Sequence, residues 1–321
     1  MRVSPRVRRW LTGPKSDPSV RARFMVEVEG RSPRDGQVRA AAQAIGRVGW
    51  AASLLNHQWP DGHWVTPGTS AEDLYWPKYI VTNWVAIVLA DLGMTRANPR
   101  VHRTAQMILD QWTKRDDFLT GRGAEICITG NAVRTLIRFG YLDHPAVQRS
   151  IAWIVRTQKP DGGWHCDPSR TGTLDSWEGL AALAEIPETG RDERVRKSIE
   201  RGAEFFLRRR LMKEGEARYP PWFRIHYPNH YYYDVLVGLR ILARLGYGAD
   251  ARLAPALNWL RRKRAEDGTW ALDASHPDLD PALAGPQSRQ VLFPMMLEPL
   301  HVPSQWATVE ALSVLARTDT P

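Results

Sequence analysis

Apolar residues recur at three- and four-residue intervals along most of the chain, the spacing that gathers them on one face of an α-helix. Five such segments run to Leu-Gly or an equivalent stop: 82–93 (T-N-W-V-A-I-V-L-A-D-L-G), 129–141, 173–183, 232–247 and 304–317. A shorter sixth begins at Ser19. Between them lies a second kind of segment, more basic and usually opened after Pro: 37–57, 99–113, 145–158, 192–210 and 250–264. Apolar helices alternating with charged ones predict an inner ring wrapped by an outer ring whose Arg and Lys face water.

The junctions carry a recurrent turn. Residues 158–164 read Q-K-P-D-G-G-W, while H-Q-W-P-D-G-H-W ends at Trp64 and A-E-D-G-T-W ends at Trp270. These tryptophans lie 100 and 106 residues apart, which suits two units of about fifty residues between copies. In each copy a helix ends, Asp-Gly reverses the chain, and Trp follows to bury a large ring.

The turns, the N-A-x-x-x-L helix at Asn131, the E-G-L-A-A-L helix at Glu178 and the helix-pair pattern from residue 19 to 317 together resemble the α/α-toroid superfamily. That superfamily holds squalene-hopene cyclases, other class II terpene cyclases and protein prenyltransferase β subunits, and this chain is most similar to its short single-domain bacterial members. The resemblance implies an all-α fold, an α/α toroid with about six inner and five to six outer helices. Residues 1–18 are expected as a basic leader, and 19–321 as one domain.

Composition fits that expectation. No Pro/Gly/Ser-rich linker divides the 321 residues, and the apolar run Ile80 to Ala90 is too short to span a bilayer. The N-terminus has the charge of a signal sequence without the apolar stretch behind it, so a cytoplasmic protein is expected. The spacing of Cys127 and Cys166 gives neither a disulfide framework nor a tetrahedral zinc site by itself. Net charge is +9, but the runs Arg208–Arg210 and Arg261–Arg264 fall at the ends of outer helices, where cations complement the helix dipole and face water. No nucleic-acid motif accompanies the charge, and no nucleic-acid partner is expected.

Superposing the inner helices brings Asn83, Asn131, Asp175 and Asp234 to one level, with Thr173 and Tyr232 two positions earlier and Cys127 and His230 four positions earlier. Two readings stand: these residues cap helix N-termini, or they line a central cavity in which a desolvated carboxyl stays protonated at neutral pH. The resemblance implies the second, since class II terpene cyclases protonate an alkene or epoxide with an aspartic acid and steer the carbocation with aromatic faces. Asp175, Asp234 and Tyr232 are then the expected catalytic groups. Asn83, Asn131, Cys127, Thr173 and His230 would contact substrate, with Trp84, Trp177 and Trp306 as walls.

The chain departs from the family at decisive points. The D-x-D-D acid motif is absent, and Asp278-Leu279-Asp280-Pro281 is read as an accidental loop match. The zinc-ligand places of the prenyltransferases fall on Thr171, Thr173 and Tyr231, so no metal or other cofactor is expected, and Cys127, His165, Cys166 and His230 are read as packing residues. The Pro-broken apolar stretch 290–303 is either a lid over the cavity or a peripheral membrane contact. The expected function is acid-initiated cyclisation or isomerisation of a polyprenyl or triterpenoid-type substrate. A non-catalytic isoprenoid-binding or scaffold toroid and a carbohydrate-active toroid enzyme are the alternatives.

Overall fold

A computed structural model describes residues 3–64, 74–76, 78–114, 118–213, 219–276 and 295–318. The described chain is mostly helical. Pro18–Arg23 (α2) runs directly into a π-helical turn, Phe24–Val28. The other apolar helices are Thr82–Asp91 (α5), Ile126–Phe139 (α7), Glu178–Ala184 (α9), Val235–Arg244 (α11) and Gln305–Thr318 (α13). Thr82 to Ala90 of α5, all of α9 and Trp306 to Leu315 of α13 are buried, as helices apolar on every side must be. They touch in the order α5, α7, α9, α11, α13, and α13 then packs on α2 and its π-turn.

Pro99–Lys114 (α6), Pro145–Thr157 (α8), Glu193–Arg208 (α10) and Ala254–Arg262 (α12) cover these from outside. Each shows one buried stripe; in α10 it is Val195, Ile199, Ala203, Phe206 and their neighbours. The expected helix 37–57 is instead two, Gly36–Ala44 (α3) and Gly49–Asn56 (α4). The break falls at Gly46, whose φ of +80° suits glycine and whose missing Cβ leaves room for the Met94 side chain. The expected leader contains another helix, Pro5–Thr12 (α1), which sets Val7 and Leu11 into the main core. Residues 290–294 and 278–281 lie outside the described residues. From Met295 onward the chain lies on the core, and Glu298 accepts from Ser304 Oγ and from the backbone N–H groups of Gln305 and Trp306 at the start of α13. No described helix is long and apolar enough to cross a membrane.

The three Asp-Gly turns share one hydrogen-bond set. The indole N–H donates to the carbonyl ten residues back: Trp64 to Leu54 (2.9 Å), Trp164 to Ile154 (2.8 Å) and Trp270 to Leu260 (2.8 Å). The aspartate accepts from the backbone N–H two residues on, as Asp161 does from Gly163. Gly162 holds φ at +95° against the Arg201 carbonyl, a place no side chain could share. Gln58 and Gln158 bind the turn to the next outer helix through Thr104 Oγ1 (2.7 Å) and the Ser198 carbonyl (2.9 Å).

Where the apolar helices end, their charges meet. Asp91 of α5 pairs with Arg134 (3.2 Å) and Arg138 of α7, and Arg138 continues to Glu185 (2.6 Å) at the end of α9. Glu185 also holds Arg244 of α11 (2.7 Å). Arg240 of α11 reaches Glu310 of α13 (3.1 Å), which binds Arg23 of α2; Arg23 pairs with Glu27 (3.0 Å), and Glu27 lies 3.7 Å from Arg317 of α13. Every apolar helix contributes to this alternation. A cavity of about 40 Å³ lies among these side chains, room for a water or two.

Burial alone would raise the Asp91 carboxyl, but Arg134 and Arg138, with Arg240 and Arg23 behind them, outweigh it and hold it down to about 2. Its folded value lies below its unfolded one, so its stabilising effect is present above about pH 4 and is lost as pH falls toward 2. Acid unfolding followed by circular dichroism is expected to steepen in that window. Asp91→Asn, which leaves two buried guanidiniums short of a charge, is expected to cost about 3–5 kcal/mol in urea unfolding at pH 7 and to weaken that acid dependence. Trp164→Phe, which removes the indole bond to the buried Ile154 carbonyl and leaves it only the longer one from Thr157 Oγ1 (3.3 Å), is expected to cost about 1–3 kcal/mol in the same measurement.

Candidate functional site

Opposite the ion pairs, at the N-terminal ends of α5, α7 and α11, three stretches without α-helix come together: 74–76 with 78–80, 219–234 and 270–276. Asp234 makes the second one rigid. Its carboxylate caps α11 at the Val237 N–H (2.7 Å) and also accepts from the His226 N–H (2.9 Å) and Asn229 Nδ2 (3.3 Å). The segment that it ties off enters the space between the apolar helices. Tyr227 lies against Trp306 of α13, ring centroids 4.5 Å apart, and Asn131 of α7 donates to the His230 carbonyl (2.9 Å) while its own Oδ1 takes the Arg134 Nε–H (2.8 Å). Tyr227 and His230 are thus buried among α7, α13 and the first turn of α5.

Around His230 is an aromatic stack. Tyr79 lies 3.9 Å from His276 with the rings nearly parallel, and His276 lies 4.8 Å from His230. His230 Nε2 faces the Trp84 carbonyl at 3.3 Å and must donate, so its Nδ1 accepts from His276 Nε2, 2.9 Å away. Burial pushes His230 down to about 3, and His276 well below its ordinary value, so both imidazoles are neutral.

The stack opens outward into a wall of rings. Tyr231 is hydrogen-bonded to Tyr79 through the two hydroxyls (2.6 Å), and Lys78 Nζ donates to the Tyr231 hydroxyl (3.1 Å). The same ammonium lies 5.2 to 5.7 Å from the ring centroids of Tyr75, Trp76 and Tyr231, within cation–π reach. Trp76 is 53% exposed, and Tyr232 and Phe118 are 38% exposed, so this wall faces solvent. Burial raises the phenols of Tyr75 and Tyr79, which stay protonated donors.

Beside Tyr75 the fold unites two cysteines. Cys127 stands in the first turn of α7, and Cys166 follows two residues after the turn tryptophan Trp164. With Glu125 they place three ligand-type atoms within 4.8 Å of one another. Next to them Glu178, the first residue of α9, is fully buried, and neither carboxyl oxygen has a hydrogen-bond partner. Burial raises it well above the ordinary glutamate value, which favours its protonated form.

The expected site residues are thus distributed over different environments. Asp175 is exposed and accepts from the Trp222 indole (2.7 Å), whereas Asp234 is buried in its cap, where desolvation pushes it up to about 6 against the bonds that it accepts. Tyr232 stacks on His226 at the rim, 4.8 Å between centroids. Asn83 lies buried in the first turn of α5, and Thr173 caps a 3-10 turn with its hydroxyl on the Asp175 N–H (3.3 Å). Trp177 is buried under the Arg134 guanidinium, and Trp306 under those of Arg23 and the ring of Tyr227. Lys78, His276 and Glu178 escaped the sequence reading. For Glu178 a signal existed: a carboxylate inside the apolar run E-G-L-A-A-L, with no neighbouring cation in the helix.

No family model matches the chain, and no curated protein matches it. Among solved structures it is similar to a protein from Actinoplanes at 17% identity, with a TM-score of 0.44 over 96% of this chain and 91% of that one. It is also similar to the type II terpene cyclase MstE from Scytonema at 13% identity, with a TM-score of 0.31 over 87% of this chain and 96% of that one. A variant of that cyclase in complex with geranylgeranyl dihydroxybenzoate gives 12% identity and a TM-score of 0.31, over 87% and 95%.

Proposed function

We propose that this chain is an isoprenoid-binding α/α toroid whose ligand lies on the aromatic wall at the mouth and not in the centre. Contacts that run from α5 through α13 and on to α2, with ion pairs crossing in the same order, support the closed ring. One observation carries the ligand assignment: rings of Tyr75, Trp76, Tyr231 and Tyr232 form an accessible surface around a single ammonium, Lys78, while the opposite end is sealed by charges. A branched hydrocarbon gains about 25 cal/mol per Å² on covering such rings. Its oxygenated end would take hydrogen bonds from Lys78 and the Tyr231 hydroxyl.

A catalytic reading is favoured by Glu178 alone. A neutral carboxyl can pass its proton to an alkene carbon, forming a carbocation, and recover a proton when the product alkene forms. In this reading Glu178 is the acid, Asp175 and Tyr232 border the entrance, and Asp234 serves as the cap of α11. Glu178→Gln is expected to keep ligand binding and abolish new product from polyprenols or squalene, followed by gas chromatography. Unchanged turnover in that variant would remove Glu178 from the mechanism, and binding without turnover in the native chain would leave a binding protein.

The binding claim is tested by calorimetric titration with geranylgeraniol and geranylgeranyl diphosphate, with an oligosaccharide for comparison. Tyr231→Ala and Trp76→Ala are each expected to weaken isoprenoid affinity roughly tenfold, about 1.4 kcal/mol, and Trp59→Ala, an exposed ring elsewhere on the surface, to leave it unchanged. Equal affinity in all three variants, or preference for the oligosaccharide, would contradict the assignment.

A further inference from the structure

Three positions that the sequence holds apart by up to 41 residues present two sulfurs and a carboxylate to one point in space. Cys127 Sγ lies 3.5 Å from Glu125 Oε2, and Cys166 Sγ completes a triangle with no side above 4.8 Å. Both cysteines are free. We propose that Glu125, Cys127 and Cys166 form a site for a thiophilic divalent cation of the zinc class, with solvent as the fourth ligand.

The positions are held by backbone structure and not by chance contact of flexible side chains. Cys127 is fixed by α7, and its carbonyl accepts from Asn131 Nδ2 (2.9 Å). Cys166 is two residues from Trp164, whose indole bonds the Ile154 carbonyl and whose main chain pairs with Thr173. Two thiolates and one carboxylate suit a d¹⁰ ion of borderline softness better than Mg²⁺ or Ca²⁺, which take oxygen ligands. Glu125 and Cys166 are exposed and Cys127 half-buried, so an ion can enter and keep one open coordination position. Binding transfers both thiol protons to solvent: two R–SH, one carboxylate and M²⁺ give a three-ligand complex and two H⁺. The buried, unpartnered Glu178 carboxyl lies next to Cys166, a hydrogen-bond partner for a bound water that the protein itself leaves unused. The site borders Tyr75 of the aromatic wall but stands independently of any isoprenoid ligand.

The test uses the full chain, reduced and metal-free, titrated anaerobically with Co²⁺ as an optical stand-in for Zn²⁺. One equivalent is expected to produce a sulfur-to-cobalt charge-transfer band with tetrahedral visible bands, and stoichiometric Zn²⁺ to bleach both. Cys127→Ser and Cys166→Ser should each reduce the charge-transfer intensity by about half or abolish it, and Glu125→Gln should weaken Co²⁺ by roughly tenfold or more. His165→Ala, adjacent but outside the triangle, should titrate as the native chain does. Far-ultraviolet circular dichroism of each variant separates loss of ligand from loss of fold. Uptake without a sulfur band, a band of undiminished intensity in both serine variants, or no uptake by folded, reduced protein would overturn the proposal. None of these outcomes bears on isoprenoid affinity, which is read in the separate titration.

Discussion

Charge neutralisation between the ends of six apolar helices is the constraint on which the rest of this structure depends. Arg134 is 2% exposed, and Asp91, Glu185 and Glu310 are nearly as deep. Isolated, any of them would cost several kcal/mol. Alternation of sign from helix to helix makes burial tolerable, because each acid faces two guanidiniums, both from α7 for Asp91 and from two different helices for Glu185 and Glu310. The cations also fit their own helices, since Arg138, Arg244 and Arg317 lie in last turns where the dipole is negative. Asp91 and Glu185 lie at the disfavoured end of theirs, so they depend on the adjoining arginines. A helix placed out of order would put like charges together, which ties the pairing to one arrangement of the chain.

Closing one end electrostatically leaves function to the other. There the segment 219–234 packs Tyr227 and His230 against the apolar helices. In the neutral His230–His276–Tyr79 stack, His230 meets one acceptor and one donor need, through His276 Nε2 and the Trp84 carbonyl, while His276 Nδ1 is buried without a partner and its ring lies flat on Tyr79. With the buried ring of Trp84 the stack supports Tyr231, so the wall is preorganised and a ligand need not order it. The two cysteines and Glu178 border this wall, which concentrates thiols, a buried carboxyl and aromatic faces in one region.

Much of the helical layout was legible in the sequence because periodicity and turn chemistry are local. Thr82–Asp91, Pro145–Thr157 and Gln305–Thr318 start and stop within a few residues of the expected bounds, fixed by Gly, Pro and Asp-Gly punctuation. The break at Gly46 was missed because it depends on Met94, distant in sequence. The site was less legible. Charges were assigned to outer helices and solvent, yet Asp91, Arg138 and Arg244 each directly precede a Leu-Gly or Phe-Gly stop, a register with alternating sign that could have exposed the internal pairs. Asp234 looked like a cavity acid because a cap and an interior carboxylate have the same sequence signature. Only the backbone around Val237 and His226 distinguishes them.

Photo-crosslinking with a benzophenone-bearing geranylgeranyl analogue, followed by peptide mapping, tests the location of the ligand most directly. Adducts are expected on residues 74–84 and 231–232, with competition by unlabelled geranylgeraniol. Competed adducts on α8 and α10, or among Arg23, Arg240 and Arg317 at the closed end, would contradict that location.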